Sequence, residues 1–171
     1  GITGRGDADA PFDLGLSGGQ PVGAVLGRWR ALREATGMPI AVHARQVHGA
    51  TVLVHHTAGP SGLVIADDAD AHVTRAEGML LTVSVADCVP VYLVAPRARA
   101  VALLHAGWRG VAAGIVERGV EVLLDAGEAT ADELFLHLGP AICGACYEVG
   151  PEVHEALGLD RPAGNRTVDL R

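Results

Sequence analysis

The chain has 171 residues, of which 49% are hydrophobic and 19% charged. That profile suits one globular domain with a sizeable core and argues against a disordered chain. The net charge of −7, with no basic block, argues against binding to nucleic acid or anionic membranes through counterion release.

Aromatic residues are few, so the core must rest on Val, Leu, Ile and Ala. The three cysteines are Cys88, Cys143 and Cys146, an odd number that makes a poor disulfide framework and fits a reducing compartment. No apolar run is long enough to span a bilayer, and the N-terminus does not read as a signal peptide. A cytoplasmic monomer is therefore expected. Gly1 is not a native start and the end at Arg171 is abrupt, so the expectation is a single domain over residues 1–171, truncated at both ends.

Residues 1–20 are rich in Gly, Asp and Ser and read as loop. From Val22 to Thr36 the residues Val22, Val25, Leu26, Trp29 and Leu32 recur at helical spacing, and Gly37 and Pro39 stop that helix. Thr51–His55 and Leu63–Ala66 read as short strands, separated by a turn at Ser61-Gly62. Met79–Val85 is a nearly continuous apolar run, as expected for a buried strand. Val91–Val94 and Ala100–Leu104 read as the arms of a hairpin whose loop is Ala95–Arg99. Trp108–Ala126 carries Val111, Ile115, Val122, Leu123 and Ala126 on one helical face. A strand at Leu134–Leu138 and a short helix at Pro151–Leu157 follow, with no internal repeat.

The hairpin brings two chemically useful residues together. With its loop centred near Arg97, Val91 is expected across from about Leu103, and Cys88 beside His105–Ala106. A thiolate and an imidazole so placed suit a borderline-soft cation such as zinc. A third ligand would leave one position of a four-coordinate ion for a non-protein ligand, as in catalytic sites. His48 is a candidate, but spacing alone does not select it from His43, His55, His56 and His72. A hydrogen-bonded core histidine and a small buried cysteine are the bland alternatives.

Four motifs in order change the balance: Gln46-Val47-His48-Gly49, Ala86-Asp87-Cys88-Val89-Pro90-Val91, His105-Ala106-Gly107-Trp108-Arg109-Gly110 and Cys146-Tyr147-Glu148-Val149-Gly150. Together they resemble the family variously called multicopper polyphenol oxidase, laccase-domain protein, peptidoglycan editing factor and purine nucleoside phosphorylase. The resemblance covers about Val42 to Gly150. It implies an α+β fold, a layered α/β/β/α sandwich with mixed β-sheets flanked by helices. It implies zinc held by His48, Cys88 and His105, and phosphorolysis of adenosine, inosine, guanosine and methylthioadenosine together with deamination of adenosine. Purine nucleoside and phosphate are then the expected small-molecule partners. Departures from the family pattern fall at Thr3-Gly4-Arg5-Gly6, Asp13-Leu14-Gly15, Gly27-Arg28 and the C-terminal Val168-Asp169-Leu170-Arg171.

Within that reading Asp87 is a candidate base or ligand-positioning group, with turn capping as its alternative. Arg109, at the start of a helix, is a candidate phosphate contact, with simple ion pairing as its alternative. Arg5 is a further candidate phosphate contact. Trp108 could stack on a purine or serve the core.

Three rivals stand beside this reading. Copper in an oxidase acting on phenols is one, but such an enzyme needs His-X-His pairs, and the eight histidines here include none. A thiol redox protein built on Cys143-Gly144-Ala145-Cys146 is the second. The third is a non-catalytic zinc-binding domain in which Cys143 or Cys146 supplies a fourth ligand.

Overall fold

The computed structural model describes the chain apart from residues 5, 8, 10, 11, 17, 58, 161–167 and 171. The first helix, α1, covers Val22–Thr36, the bounds its spacing predicts. Gly37 ends it in the left-handed conformation at φ 67°, and the amides of Gly37 and Met38 close on the carbonyls of Glu34 and Arg33. Its buried Val25 and Trp29 pack on Ala41.

Among the described residues eight strands follow in two sheets. The smaller contains β1 (Ile40–Ala44), β3 (Gly62–Ala66) and β5 (Met79–Thr82), in the order β3-β1-β5 and parallel throughout. The larger contains β2 (Val52–His55), β4 (Ala71–Thr74), β6 (Val89–Ala95), β7 (Ala100–Ala106) and β8 (Phe135–Leu138), in the order β2-β4-β7-β6-β8. β2 and β4 run parallel, and the other pairs are antiparallel. α1 packs on the smaller sheet and the helix at Ile115–Gly127 on the larger, while β5 touches β4 and β7 across the layers. The expected layered sandwich is thus the architecture observed.

Two strands escape the sequence reading. Ile40–Ala44 and Ala71–Thr74 are short, and nearly all their residues are buried, so neither shows the alternation that marks a half-exposed strand. The apolar run from Met79 stops pairing at Thr82, so Val83–Val85 belongs to a loop. The single helix expected over Trp108–Ala126 is two: α2 (Trp108–Ala112) and α3 (Ile115–Gly127). Gly114, left-handed at φ 79°, turns the chain between them. The last helix, α4, covers Pro151–Ala156.

The core lies between the larger sheet and α3. Ile115, Gly119, Leu123 and Gly127 recur every fourth residue along the buried stripe of α3. They meet Val73, Val91, Leu93, Ala102 and Leu104, all essentially inaccessible to water. A Cβ at Gly119 would lie 2.4 Å from Leu104 Cδ2, so glycine there sets how closely helix and sheet approach.

The opposite face of the larger sheet holds a buried histidine. His72, 1% exposed, faces His55, with Nδ1 3.0 Å from His55 Nε2. Burial first, then His55 and His43, push its pKa down to about 4, against a smaller opposing pull from Asp70. Because the fold favours the neutral ring, stability is complete above the ordinary value near 6.5 and falls as pH drops toward about 4. At about 1.4 kcal/mol per pH unit, His72 alone accounts for a loss of up to about 3 kcal/mol across that window. Urea unfolding of chelator-treated protein at pH 6.5 and pH 4 should show this loss, and His72→Asn should flatten the dependence.

Candidate metal centre

The topology sends one loop from each strand of the smaller sheet across to the larger. β1 leads through residues 45–51 to β2, β3 through residues 67–70 to β4, and β5 through residues 83–88 to β6. Since β3, β1 and β5 are parallel and in register, their C-terminal ends lie side by side and the crossings emerge together. The crossings carry His48, Asp70 and Cys88 in turn. The end of β7 contributes His105.

The hairpin of β6 and β7 places the last two donors. Its register falls within one residue of expectation: Val91 faces Leu104, because Ala95 and Ala100 still pair and the loop has only four residues, Pro96–Arg99. His105 lies opposite Pro90, and Cys88 stands just before β6 at the same end of the hairpin.

His48, Cys88 and His105 converge, with their ligand atoms all within 4.8 Å of one another. His105 is buried, Cys88 half-buried and His48 exposed. The two imidazoles meet edge to face at 4.7 Å between ring centroids. Donors around one zinc ion lie roughly 3.5 Å apart, given bond lengths of about 2.0–2.3 Å, so small side-chain movements would suffice to hold it. Neither Cys143 nor Cys146 joins the group, so the fourth protein ligand that a structural zinc would need is not supplied by either.

Behind the donors stands Asp70, 0% exposed, which the sequence reading did not single out. Its carboxylate accepts the amides of Val47, His48 and Gly49 at 3.2, 2.9 and 2.8 Å. It also lies 2.8 Å from His105 Nδ1, and its carbonyl accepts the His105 amide at 2.7 Å, one rung beyond Ala71–Leu104 in the ladder. Burial alone would raise its pKa, but the bonds from His105, Gly49, Val47 and His48 outweigh burial and hold it below the usual carboxylate range. An ionised Asp70 fixes the proton of His105 on Nδ1, leaving Nε2 as the lone-pair donor.

The same bonds shape the loop of the first ligand. His48 has a left-handed backbone, φ 58°, uncommon for a non-glycine residue, and Asp70 holds the amides on both sides of it. Gln46 pins this loop to the crossing that bears Cys88: its side-chain amide donates to the Ser84 carbonyl at 2.8 Å and accepts the Ser84 amide at 2.6 Å. Arg45 and Asp68 form an exposed ion pair between two of the crossings.

Protonation acts on the donors in opposite ways. Burial lowers the His105 pKa more than Asp70 raises it, so the ring is neutral near pH 7. Burial, then the charges of Asp87 and Asp70, raise the Cys88 thiol, so an ion must displace its proton on binding.

The remaining candidates divide. Asp87 is exposed at the rim, where its charge reaches Cys88, and its backbone carbonyl accepts the Ile142 amide at 3.2 Å. Arg109 is also exposed, with its guanidinium stacked 4.1 Å from the Trp108 ring centroid. Because α2 has only five residues, the guanidinium rather than a helix dipole would supply any positive charge there. Arg5 falls outside the described residues. Tyr147 is a further residue near the site: burial first, then the charges of Cys88 and Asp87, raise its phenol, while Arg109 pulls it down. It belongs to the fourth motif, next to Cys146.

Comparison with known proteins identifies the family. Residues 6–169 match the family described as multi-copper polyphenol oxidoreductase laccase. The chain belongs to that laccase-like family. It is 38% identical over 170 residues to a purine nucleoside phosphorylase of Xylella fastidiosa, covering 94% of this chain and 63% of that protein. It is 48% identical over 88 residues to adenosine deaminase RL5 from an unknown prokaryotic organism, covering 52% of this chain and 33% of that protein. The crystal structure of YlmD from Geobacillus stearothermophilus superposes with a TM-score of 0.75 at 32% identity, over 87% of this chain and 58% of that one. The chain thus spans less than two thirds of the length of these laccase-like relatives. No helix among the described residues is long and apolar enough to cross a membrane.

Two substitutions test the site. A Cβ at Gly107 would lie 2.9 Å from Cys88 Sγ and 3.0 Å from His48 Cδ2. Gly107→Ala should therefore lower metal content while the circular-dichroism spectrum stays unchanged. Asp70→Asn replaces an acceptor-only group with an amide facing N–H donors. It should weaken metal affinity on the order of 10–100-fold, measured by chelator competition.

Proposed function

We propose that this protein is a zinc-dependent purine nucleoside phosphorylase acting on adenosine, inosine, guanosine and methylthioadenosine, with adenosine deaminase activity. The observation that carries the reading is the group of two imidazoles and one thiol backed by the buried Asp70 carboxylate. Relatives named purine nucleoside phosphorylase and adenosine deaminase support the substrate class.

His48, Cys88 and His105 would hold the ion, a donor set of two nitrogens and one sulfur that suits zinc. When bound, the ion supplies Lewis acidity, which favours attack on purine C6 in deamination and stabilises charge in phosphorolysis. Asp70 orients His105 and the His48 loop through its hydrogen bonds. Asp87, exposed next to Cys88, would accept or return a proton. Arg109 would meet phosphate, and Trp108 would lie against a purine once the guanidinium swings from its ring. Arg5 is a second candidate for phosphate.

Zinc is favoured over copper by the wider histidine arrangement. Among the described residues no second group of three His, Cys, Asp or Glu donors joins this one, whereas oxidation by several coppers requires further clusters. Copper loading should accordingly produce no strong blue absorption band.

The direct experiment compares wild type with Cys88→Ala. Wild type should purify with close to one zinc per chain and Cys88→Ala with little. Wild type given adenosine and phosphate should yield adenine and ribose 1-phosphate, with inosine and hypoxanthine from deamination. Equal, negligible zinc in both proteins would remove the metal reading, and absence of products from zinc-replete wild type would remove the catalytic one.

A further inference from the structure

Cys143 and Cys146 lie outside the metal-binding group, and neither phosphorolysis nor deamination gives them a task. Residues 144–146 form a turn in which the amides of Cys146 and Tyr147 both donate to the Cys143 carbonyl, at 2.9 and 3.1 Å. That winding brings the sulfurs into contact, 2.6 Å apart, and both residues are exposed. No disulfide joins any of the three cysteines in the structure.

The turn is fastened to the metal centre. On one side the Ile142 amide donates at 3.2 Å to the carbonyl of Asp87, the neighbour of Cys88. On the other the Tyr147 carbonyl accepts the Val168 amide at 3.2 Å, and the charges of Cys88 and Asp87 are felt at the Tyr147 phenol. A thiol pair that touches and is open to solvent needs little chain movement to bridge, and a small disulfide can reach it.

We propose that Cys143 and Cys146 are a reversible redox site whose disulfide locks the turn carrying Tyr147 beside the metal centre. The co-reactant is a small-molecule disulfide such as glutathione disulfide. One cysteine thiolate attacks a glutathione sulfur, forming a mixed disulfide and expelling one glutathione thiolate. The second cysteine thiolate attacks the protein-bound sulfur of that mixed disulfide and expels the second glutathione. Two protein thiols are oxidised, one glutathione disulfide is reduced to two glutathiones, and the cysteine protons pass to the released thiolates. The hydrogen bond from Cys143 raises the Cys146 thiol, so the exchange quickens as pH rises.

The test treats the whole chain with glutathione disulfide, then counts thiols and maps a non-reduced digest by mass spectrometry. Titratable thiols should fall from three to one, with a Cys143–Cys146 link that dithiothreitol reverses. Cys143→Ser and Cys146→Ser should each carry a glutathione adduct instead. Hydrogen exchange at the Tyr147 amide should slow several-fold in the oxidised wild type. Separate glutathione adducts on the wild-type cysteines, a link through Cys88, or unchanged exchange at Tyr147 would each overturn the proposal.

Discussion

A carboxylate shut away from water must find its hydrogen bonds inside the protein, and the way Asp70 does so organises everything around the candidate metal centre. Its oxygens receive three consecutive backbone amides and face the ring of His105. Leaving such a charge unpaired in the interior costs several kcal/mol, so the loop of residues 47–49 and the end of β7 are held together wherever the fold forms. The left-handed backbone at His48 persists for the same reason: the amides on either side are already committed to Asp70.

The layered topology is what lets one carboxylate do this. Parallel strands end on the same side of a sheet, so the loops that leave them share that side. Here each of the three strands of the smaller sheet is followed by a crossing to the larger sheet. Residues at 48, 70 and 88, distant along the chain, therefore meet in one place, and the antiparallel partner of β6 adds position 105. Gln46 contributes a sheet-like pair of bonds where no sheet continues, tying the first and third crossings through Ser84.

Around this frame the chemistry is graded from inside to outside. His105 is buried and held by a fixed partner, Cys88 is half-buried, and His48 is exposed. Asp87 and Arg109 are exposed, so groups able to move protons or meet an anion lie nearest the solvent. Small residues keep the centre compact: Gly107 leaves room for the Cys88 sulfur and the His48 ring, and Gly110 lets α2 approach the His48 loop, where a Cβ would lie 3.0 Å from the Gly49 carbonyl.

By itself the sequence determined α1 and most of the strands, and the resemblance carried by the motifs around His48, Cys88 and His105 named three candidate donors that the structure brings together. Those features are local: helical spacing, apolar runs and short motifs are written in neighbouring residues. It did not reveal Ile40–Ala44 or Ala71–Thr74, because short strands buried on both faces carry no alternation. Hence Asp70, at the entrance to the second of these, had no visible context. Nor did it separate α2 from α3, since the apolar stripe continues past Gly114. Only the tertiary structure decided the hairpin register that brings Cys88 and His105 to one end of the hairpin, the parallel pairing that gathers three crossings, and the burial of Asp70. Each depends on which distant backbone atoms share hydrogen bonds.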